Sequence, residues 1–244
     1  MLPVRARSWL RAAWQDRFRP PVGRVSFGSF RRMAPISREL GFDRGQPIDR
    51  YYIENFLARH AGDIQGRVLE IGDNGYTRQY GGGRVELSDV LNVSEGDPKA
   101  TIVADLPRAD NIPSGIFDCI ILTQTLQYIY DVRLAVGTLY RILKPGGVLL
   151  ATFPGISPIS RDPWAGSWCW TFTDVSARRL FEEVFPTGNV EVEAHGNVLA
   201  AISFLQGLAA EELRREELSC HDPYYEVLVA LRAVKPQATL QAPL

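Results

Sequence analysis

The strongest constraint on the fold is a short apolar run at residues 68–71, which is followed at once by Gly72 and then by Gly75. The run is long enough for a buried β-strand and too short for a helix. Glycines at the carboxyl end of such a strand leave backbone without a Cβ atom, so a ligand can approach closely. In open parallel sheets, ligands bind outside the carboxyl ends of the strands, where the strand order reverses. The stretch therefore predicts a parallel α/β sheet with a ligand site beside Gly72 and Gly75.

Four later segments continue the strand pattern along the chain. They cover residues 85–90, 101–106, 117–123 and 143–151. The first carries Asp89, which lies 17 positions after Gly72, and the second ends in Asp105-Leu106. The third begins with Phe-Asp and leads into Gln124, and the fourth opens with Leu-Lys-Pro-Gly-Gly, a turn that follows a helix. Polar side chains thus follow several strands, at the edge where a ligand is expected.

This series of segments resembles the class I S-adenosylmethionine (SAM)-dependent methyltransferases, in particular the type 11-like group with small-molecule and glycan acceptors. The resemblance covers about residues 50–195, and the Phe-Asp strand with the Leu-Lys-Pro-Gly-Gly turn carries most of it. It implies an α/β, Rossmann-like, doubly wound sheet of seven strands, mostly parallel, with an antiparallel last strand. It also implies SAM as the cofactor.

SAM carries a methyl sulfonium cation, an adenosine and an amino acid, but no phosphate. Gly72 and Gly75 would let the backbone approach its methionine moiety, because neither has a Cβ atom. Glu70 and Asp73 are acidic groups expected near the cationic part of the cofactor.

The resemblance places the nucleoside of the cofactor at the second and third strands. Asp89, with Val90 beside it, is expected to accept hydrogen bonds from the ribose hydroxyls. Asp105, with Leu106 beside it, is expected to bind the adenine amino group. For either aspartate taken alone, a role as a loop cap or turn residue is the favoured interpretation.

Thr123 and Gln124 leave the fourth strand and are expected as cofactor-binding residues that line the space under the sulfonium. The acceptor side of the site is less defined by the sequence. An alcohol or phenol acceptor benefits from a general base, for which His195 and His221 are the candidates. For each histidine, a structural or solvent-facing role is the alternative.

The first crossover of the predicted sheet is shorter than the family pattern. Only twelve residues separate Ile71 from Arg84, which leaves room for one or two helical turns. The second crossover, at residues 91–100, is also short, so one face of the sheet should be thinly covered. The usual Gly-x-Gly-x-Gly is reduced to Gly72-x-x-Gly75. A dinucleotide site is disfavoured, because its third glycine and its phosphate-binding helix are missing.

Other segments supply the helices and the acceptor region. Asp49 is expected to cap a helix that runs through Ala61, and Arg50 on it could reach the methionine end of the cofactor. Further helices are predicted from about Asp131, from Thr173 and over residues 197–218, with strands at 190–194 and 225–234. The Trp-rich loop at residues 154–172 and the insert at 197–218 are the candidate acceptor-binding segments. The loop carries Trp164, Trp168 and Trp170, which could stack on a ring or simply close the core.

Charge divides the chain into a basic start and an acidic remainder. Residues 1–50 hold eleven arginines and four acidic residues, a net charge of +7, so the rest carries −8. Nucleic acid is therefore disfavoured as the acceptor. Residues 4–19 show the pattern of a basic amphipathic helix with tryptophans, which fits a membrane surface, a protein partner or simple packing on its own domain. The predicted organisation is a basic arm and linker (1–48), a methyltransferase domain (49–236) and a loose tail (237–244).

Composition narrows the setting. No apolar run of 18 residues and no secretory signal pattern is found, so a cytoplasmic protein is expected. Cys119, Cys169 and Cys220 form no Cys-x-x-Cys pair, which argues against a zinc site and predicts no metal. Arginine outnumbers lysine 24 to 3, as in bacterial GC-rich genomes.

Two functions of different classes remain open on the sequence. One is a SAM-dependent methyltransferase acting on oxygen of a small hydroxylated or glycan-linked acceptor, in glycan or natural-product biosynthesis. The other is a non-catalytic module of the same fold that docks a partner through residues 1–20. Affinity for SAM discriminates the two.

Overall fold

A computed structural model describes residues 19–159 and 165–237 of the chain. The chain divides into two compact units, residues 1–35 and 36–244. In the first unit the described residues contain one short 3₁₀ turn, Gly28–Phe30, and exposed side chains such as Val22 and Met33. The predicted helix at residues 4–19 lies outside the described residues, except for Arg19. The predicted tail also lies outside them, except for Gln237.

The second unit contains seven strands in one sheet. They are β1 (Gly66–Ile71), β2 (Val85–Asn92), β3 (Ile102–Val103), β4 (Phe117–Thr123), β5 (Leu143–Pro154), β6 (Val190–His195) and β7 (Leu228–Val234). Their order in the sheet is β3-β2-β1-β4-β5-β7-β6. β7 runs antiparallel to β5 and β6, whereas the pairs among the first five strands are parallel. The predicted fold class is confirmed.

Five α-helices cover the sheet within the described ranges. They are α1 (Ile48–Arg59), α2 (Val132–Ile142), α3 (Asp174–Glu182), α4 (Val198–Leu205) and α5 (Arg215–Ser219). α3 begins as predicted, with Thr173 accepting a hydrogen bond from Ser176 N. None of the helices in these ranges is long and apolar enough to cross a membrane.

The core lies in two layers because both faces of the sheet are buried. Ile120 and Leu122 of β4 belong to the layer that contains α2 and α3. Cys119 and Ile121, the alternate residues, belong to the layer that contains α1 and α4. Burial on both faces explains why the strand reads as a continuous apolar run rather than an alternating one.

The crossovers beside β2 are as short as the sequence predicts. Between β1 and β2 the chain forms a π-helical turn, Thr77–Gly81, and a 3₁₀ turn, Gly82–Arg84. β2 and β3 are joined without a helix. Leu87 and Val103 are 49% and 41% exposed, so this end of the sheet is indeed thinly covered.

Three local predictions were wrong. Asp49 does not cap α1, because Pro47 occupies the N-cap position and Asp49 falls in the first turn. The predicted helix at residues 197–218 is broken after α4, where Gly207 adopts a φ of +70° that L-residues avoid. The Pro-Gly-Gly segment is the irregular start of β5 rather than a free turn, with Gly146 N donating to Lys235 O at 2.8 Å.

The second unit begins before the predicted boundary at residue 49. Ser37 N donates to Gln206 O at 3.0 Å, and Ala210 N donates to Gln46 O at 2.7 Å. These bonds fasten residues 36–47 to the segment after α4. The stretch assigned to a linker is therefore in part a wall of the domain.

Candidate active site

An open cleft of about 1260 Å³ lies at the carboxyl ends of β1 and β4 in the second unit. These strands are neighbours, with β2 and β3 on one side and β5 on the other, so the strand order reverses here. Ligands of open α/β sheets bind at this point. The cleft walls come from the loop after β1, the first turn of α1, the turn after β4 and the loop around Trp168.

Glu70 fastens the loop that follows β1. Its side chain is 3% exposed, and its carboxylate accepts hydrogen bonds from Thr77 N at 2.8 Å, Thr77 Oγ1 at 2.7 Å and Tyr76 N at 3.2 Å. Burial raises the pKa of the Glu70 carboxyl, and these hydrogen bonds oppose the rise. Glu70 lines the cleft, but its oxygens are committed to the loop.

Gly72 presents bare backbone to the cleft. Its φ is +88°, which favours glycine, and a Cβ atom built there would meet no atom within 4 Å. Two residues further, Asp73 Oδ1 accepts a hydrogen bond from Gly75 N at 2.8 Å and closes a tight turn. The loop thus leaves open space in front of Gly72, with the Asp73 carboxylate beside it. A Cβ atom at Gly75 would lie 3.1 Å from Asp73 Oδ1, so of the two glycines only Gly72 faces open space.

Gln124 has an unusual backbone at the end of β4. Its φ is +47°, a conformation that residues other than glycine rarely adopt, and its N–H donates to Thr152 O at 3.0 Å. Thr123 and Gln124 both line the cleft, as predicted. Non-glycine residues held in this region cost on the order of 1–3 kcal/mol and cluster at functional sites.

The Trp-rich loop contributes one indole to the cleft among its described residues. Trp168 lines it and packs edge-on against Tyr128, with ring centroids 5.4 Å apart. Trp170 turns to the backbone instead, and its Nε1 donates to Ile129 O at 3.0 Å. Trp164 lies outside the described residues. The loop is joined to the turn after β4, because Cys169 N and Trp170 N both donate to Gln127 O.

The first turn of α1 adds two charged residues to the cleft, Asp49 and Arg50, of which the sequence analysis placed only Arg50 near the cofactor. Arg50 Nη1 donates to Tyr76 Oη at 3.0 Å, and both residues line the cleft with Asp49. Burial acts to lower the pKa of Arg50, but Asp49 and Tyr76 outweigh it and the pKa is raised. Burial raises the pKa of the Asp49 carboxyl, against the effect of Arg50.

Tyr76, Gln127 and Tyr128 are cleft residues that the sequence reading missed. The available signal was position: Tyr76 directly follows Gly75, and Gln127 lies one turn after Gln124.

Asp89 and Val90 are not in the cleft, contrary to their predicted place at a strand end. β2 continues three residues beyond Asp89 to Asn92, and Asp89 pairs with Leu69 in the middle of β1. Its Oδ2 accepts from Arg67 Nε at 2.7 Å and its Oδ1 from Thr101 Oγ1 at 2.9 Å. Val90 is 2% exposed and packs in the sheet. Asn92, not Asp89, occupies the carboxyl end of β2.

The remaining predicted residues also lie away from the cleft. Asp105 is exposed and Leu106 belongs to the buried core. His195 ends β6 at the far edge of the sheet, where its ring stacks on Tyr52 at 5.4 Å. His221 is exposed in the segment before β7. The structure does not bring either histidine to the cleft, because β5 and β7 separate β6 from β4.

Comparison with known proteins agrees with this geometry. Residues 86–151 match a methyltransferase domain family. The N-methyltransferase NodS from Bradyrhizobium japonicum WM9, in complex with S-adenosyl-L-homocysteine (SAH), superposes with a TM-score of 0.51 at 16% identity, over 83% of this chain and 97% of that one. A SAM-dependent methyltransferase from Mesorhizobium loti superposes with a TM-score of 0.51 at 18% identity, over 77% of this chain and 98% of that one. The [4+2]-cyclase SpnF superposes with a TM-score of 0.52 at 16% identity, over 80% of this chain and 84% of that one. No curated protein is significantly similar in sequence.

The fold is therefore that of the SAM-dependent methyltransferases. SpnF has the same fold and is described as a cyclase, so the fold alone does not fix the reaction. Within the described residues, no group of three His, Cys, Asp or Glu side chains is arranged to hold a metal ion.

The location of Asp89 generates a prediction. Asp89→Ala should lower the free energy of unfolding by about 1–3 kcal/mol, because it leaves the Arg67 guanidinium and the Thr101 hydroxyl without their acceptor. SAH affinity of the folded variant should stay within about threefold of wild type, a difference below 1 kcal/mol. Urea unfolding and calorimetry measure the two quantities. A tenfold loss of SAH affinity at unchanged stability would restore Asp89 as a ribose ligand.

Proposed function

We propose that this protein is a SAM-dependent methyltransferase that methylates an oxygen of a small hydroxylated or glycan-linked acceptor. The observation that carries the proposal is Gly72. Its left-handed backbone faces open space at the point where the strand order reverses, and the strained Gln124 follows the neighbouring strand β4 in the same cleft. The match of residues 86–151 to a methyltransferase domain supports the same cofactor and reaction class.

The residues of the cleft fit the methionine end of SAM. Five carboxylates and two arginines line the cleft: Glu39, Asp49, Glu54, Glu70, Asp73, Arg38 and Arg50. This excess of negative charge suits a ligand with a sulfonium and an ammonium group. Asp73 would hold the ammonium group, and Arg50 the α-carboxylate.

When bound, SAM supplies an electrophilic methyl group for in-line displacement. The protein contributes mainly alignment of the acceptor, since fixed geometry accounts for much of the rate of such reactions. No histidine, lysine or cysteine lines the cleft among the described residues, so a carboxylate is the available base. Asp49 would be the acceptor of the proton: it lines the cleft in the first turn of α1, and burial raises the pKa of its carboxyl.

The second candidate is a binding module that keeps the fold without the reaction. Two observations favour it: Asp89 is engaged by Arg67 and Thr101, and Asp105 lies outside the cleft. The basic start of the chain would then supply the docking segment, and residues 19–35 include four arginines and no acidic residue. Such a module would not need affinity for SAM.

Cofactor binding separates these candidates. Wild-type protein should bind SAM and SAH with a Kd in the micromolar range, about −8 kcal/mol, measured by calorimetry. Gly72→Ala should weaken SAH binding by about tenfold or more, because a Cβ atom fills the space in front of the backbone and the positive φ costs an L-residue about 1–2 kcal/mol.

Gly96→Ala is the matched control. Gly96 also has a positive φ, +104°, with nothing within 4 Å of a built Cβ atom, but it does not line the cleft. Both variants should lose similar stability, and only Gly72→Ala should lose affinity. Absence of heat with either compound on folded wild-type protein eliminates the methyltransferase proposal and leaves the binding module.

The acceptor wall gives a further prediction. Trp168→Ala should lower turnover of hydroxylated acceptors, measured as SAH release, by about tenfold, since stacking on an aromatic ring is worth about 0.5–1.5 kcal/mol beyond the apolar contact. Trp170→Ala is the control, because Trp170 lies in the same loop but does not line the cleft. SAH affinity should stay within about threefold in both variants. Equal turnover losses in the two would show that the loop acts as a structural unit and that Trp168 is not an acceptor contact.

A further inference from the structure

Two glutamine side chains meet in the turn after β4. Gln127 Nε2 donates a hydrogen bond to Gln124 Oε1 at 3.3 Å. The other two polar atoms of the pair, Gln124 Nε2 and Gln127 Oε1, are buried and have no hydrogen-bond partner among the described residues. Gln127 is only 1% exposed, and both residues line the cleft. The pair therefore holds one amide nitrogen and one amide oxygen without a partner, in two residues that line the cleft.

This property does not depend on how the two amides are oriented. An amide–amide hydrogen bond uses one N–H group and one carbonyl oxygen. If both side chains are flipped, the bond runs the other way, and the unused donor and acceptor exchange places. One amide nitrogen and one amide oxygen remain without a partner in either case.

Buried polar atoms without partners are rare in native proteins and call for an explanation. A leucine or methionine at position 127 would fill the same space without leaving an unpaired oxygen. The backbone at Gln124 is also held at a φ of +47°, which is costly for glutamine. Strain and unmet hydrogen bonds at one point of the cleft are typical of a site that a ligand completes.

The position of the pair points to the acceptor rather than the cofactor. Gln124 follows Thr123 at the end of β4, the strand next to β1, and lines the cleft together with Gly72. Gln127 precedes Tyr128, and its backbone carbonyl accepts from Cys169 N at 2.7 Å and from Trp170 N at 3.2 Å. The pair therefore lies at the junction between the strand ends and the wall formed by Tyr128 and Trp168.

We propose that the Gln124–Gln127 pair recognises the hydroxyl group of the acceptor, an inference that rests on the proposed function. A hydroxyl group donates one hydrogen bond and accepts others, so it satisfies both unused atoms at once. A protonated amine only donates, and it would leave the amide N–H unpaired. The pair thus selects a neutral hydroxylated acceptor against an ammonium compound. The terminal torsion of glutamine is broad and soft, which lets both amides turn toward the ligand.

Gln127→Met tests the role of the pair, and Thr152→Val is its matched control. Thr152 is fully buried beside Gln124, and its Oγ1 also lacks a partner, but it does not line the cleft. Both substitutions keep the size of the side chain. Gln127→Met removes the hydrogen bond to Gln124 Oε1, so we expect its unfolding midpoint to fall by no more than about 4 °C, the effect of one lost hydrogen bond. The midpoint of Thr152→Val should stay within about 2 °C of wild type.

Binding is followed through the side-chain amide NMR signals of Gln124 and Gln127 in the SAH-saturated protein. The probes are glycerol and methyl α-glucopyranoside, with the protonated 2-amino-2-deoxy glycoside as the amine. The two hydroxyl probes should shift the amide signals of both glutamines. The charged amino group should bind the pair at least about fivefold more weakly than a hydroxyl group does. Gln127→Met should weaken the hydroxyl probes by about five- to tenfold, the range of one neutral hydrogen bond. Thr152→Val should leave their affinity unchanged.

Any one of three results overturns the inference. The first is that no hydroxyl probe shifts either amide signal, and the second is that Gln127→Met and wild type bind the probes equally well. The third is that the unfolding midpoint drops by more than about 5 °C in Gln127→Met but not in Thr152→Val. Failure of the proposed function is a separate result. If the proposed function is wrong, calorimetry of the same samples shows no SAH binding, whether or not the amide signals shift.

Discussion

The buried carboxylate of Glu70 is the interaction on which the site depends. It gathers the N–H groups of Tyr76 and Thr77 and the Thr77 hydroxyl at the end of β1. This anchors the far end of the loop, so the chain must turn sharply between residues 71 and 76. Gly72 accommodates the turn with a positive φ and leaves its backbone facing the cleft. The acidic residue thus shapes the ligand site without being free to bind the ligand itself.

The short crossovers around β2 have a consequence for where a ligand can be held. With no long helix after β1, the wall of the cleft comes from α1 and from residues 36–47 instead. A side-chain hydrogen bond from Arg50 to Tyr76 joins α1 to the loop after β1. The acceptor wall is built separately, from the turn after β4 and the loop around Trp168. The site is therefore assembled from four segments that are distant in sequence, and the sheet is what brings them together.

The sequence was sufficient for the parts of the structure that are decided locally. Apolar runs that end in glycine or polar residues located β1 and β4, and with them Gly72 and Gln124 at the cleft. The end of β2 is decided by pairing with β1 and by the Thr101 and Arg67 contacts to Asp89, none of which has a local signature. Asp49 was misread as a cap because Pro47, two residues earlier, takes that position. His195 lies at the sheet edge because β7 inserts between β5 and β6, and strand order cannot be read from spacing alone.

The central claim is that the bare backbone at Gly72 is where the amino-acid part of SAM binds. A crystal structure of the protein grown with saturating SAH tests it most directly. The account predicts electron density for the homocysteine moiety against Gly72, with its ammonium group at Asp73 and its carboxylate at Arg50. Density for SAH elsewhere on the protein, or a cleft without SAH in a crystal form that leaves it open, would contradict the account.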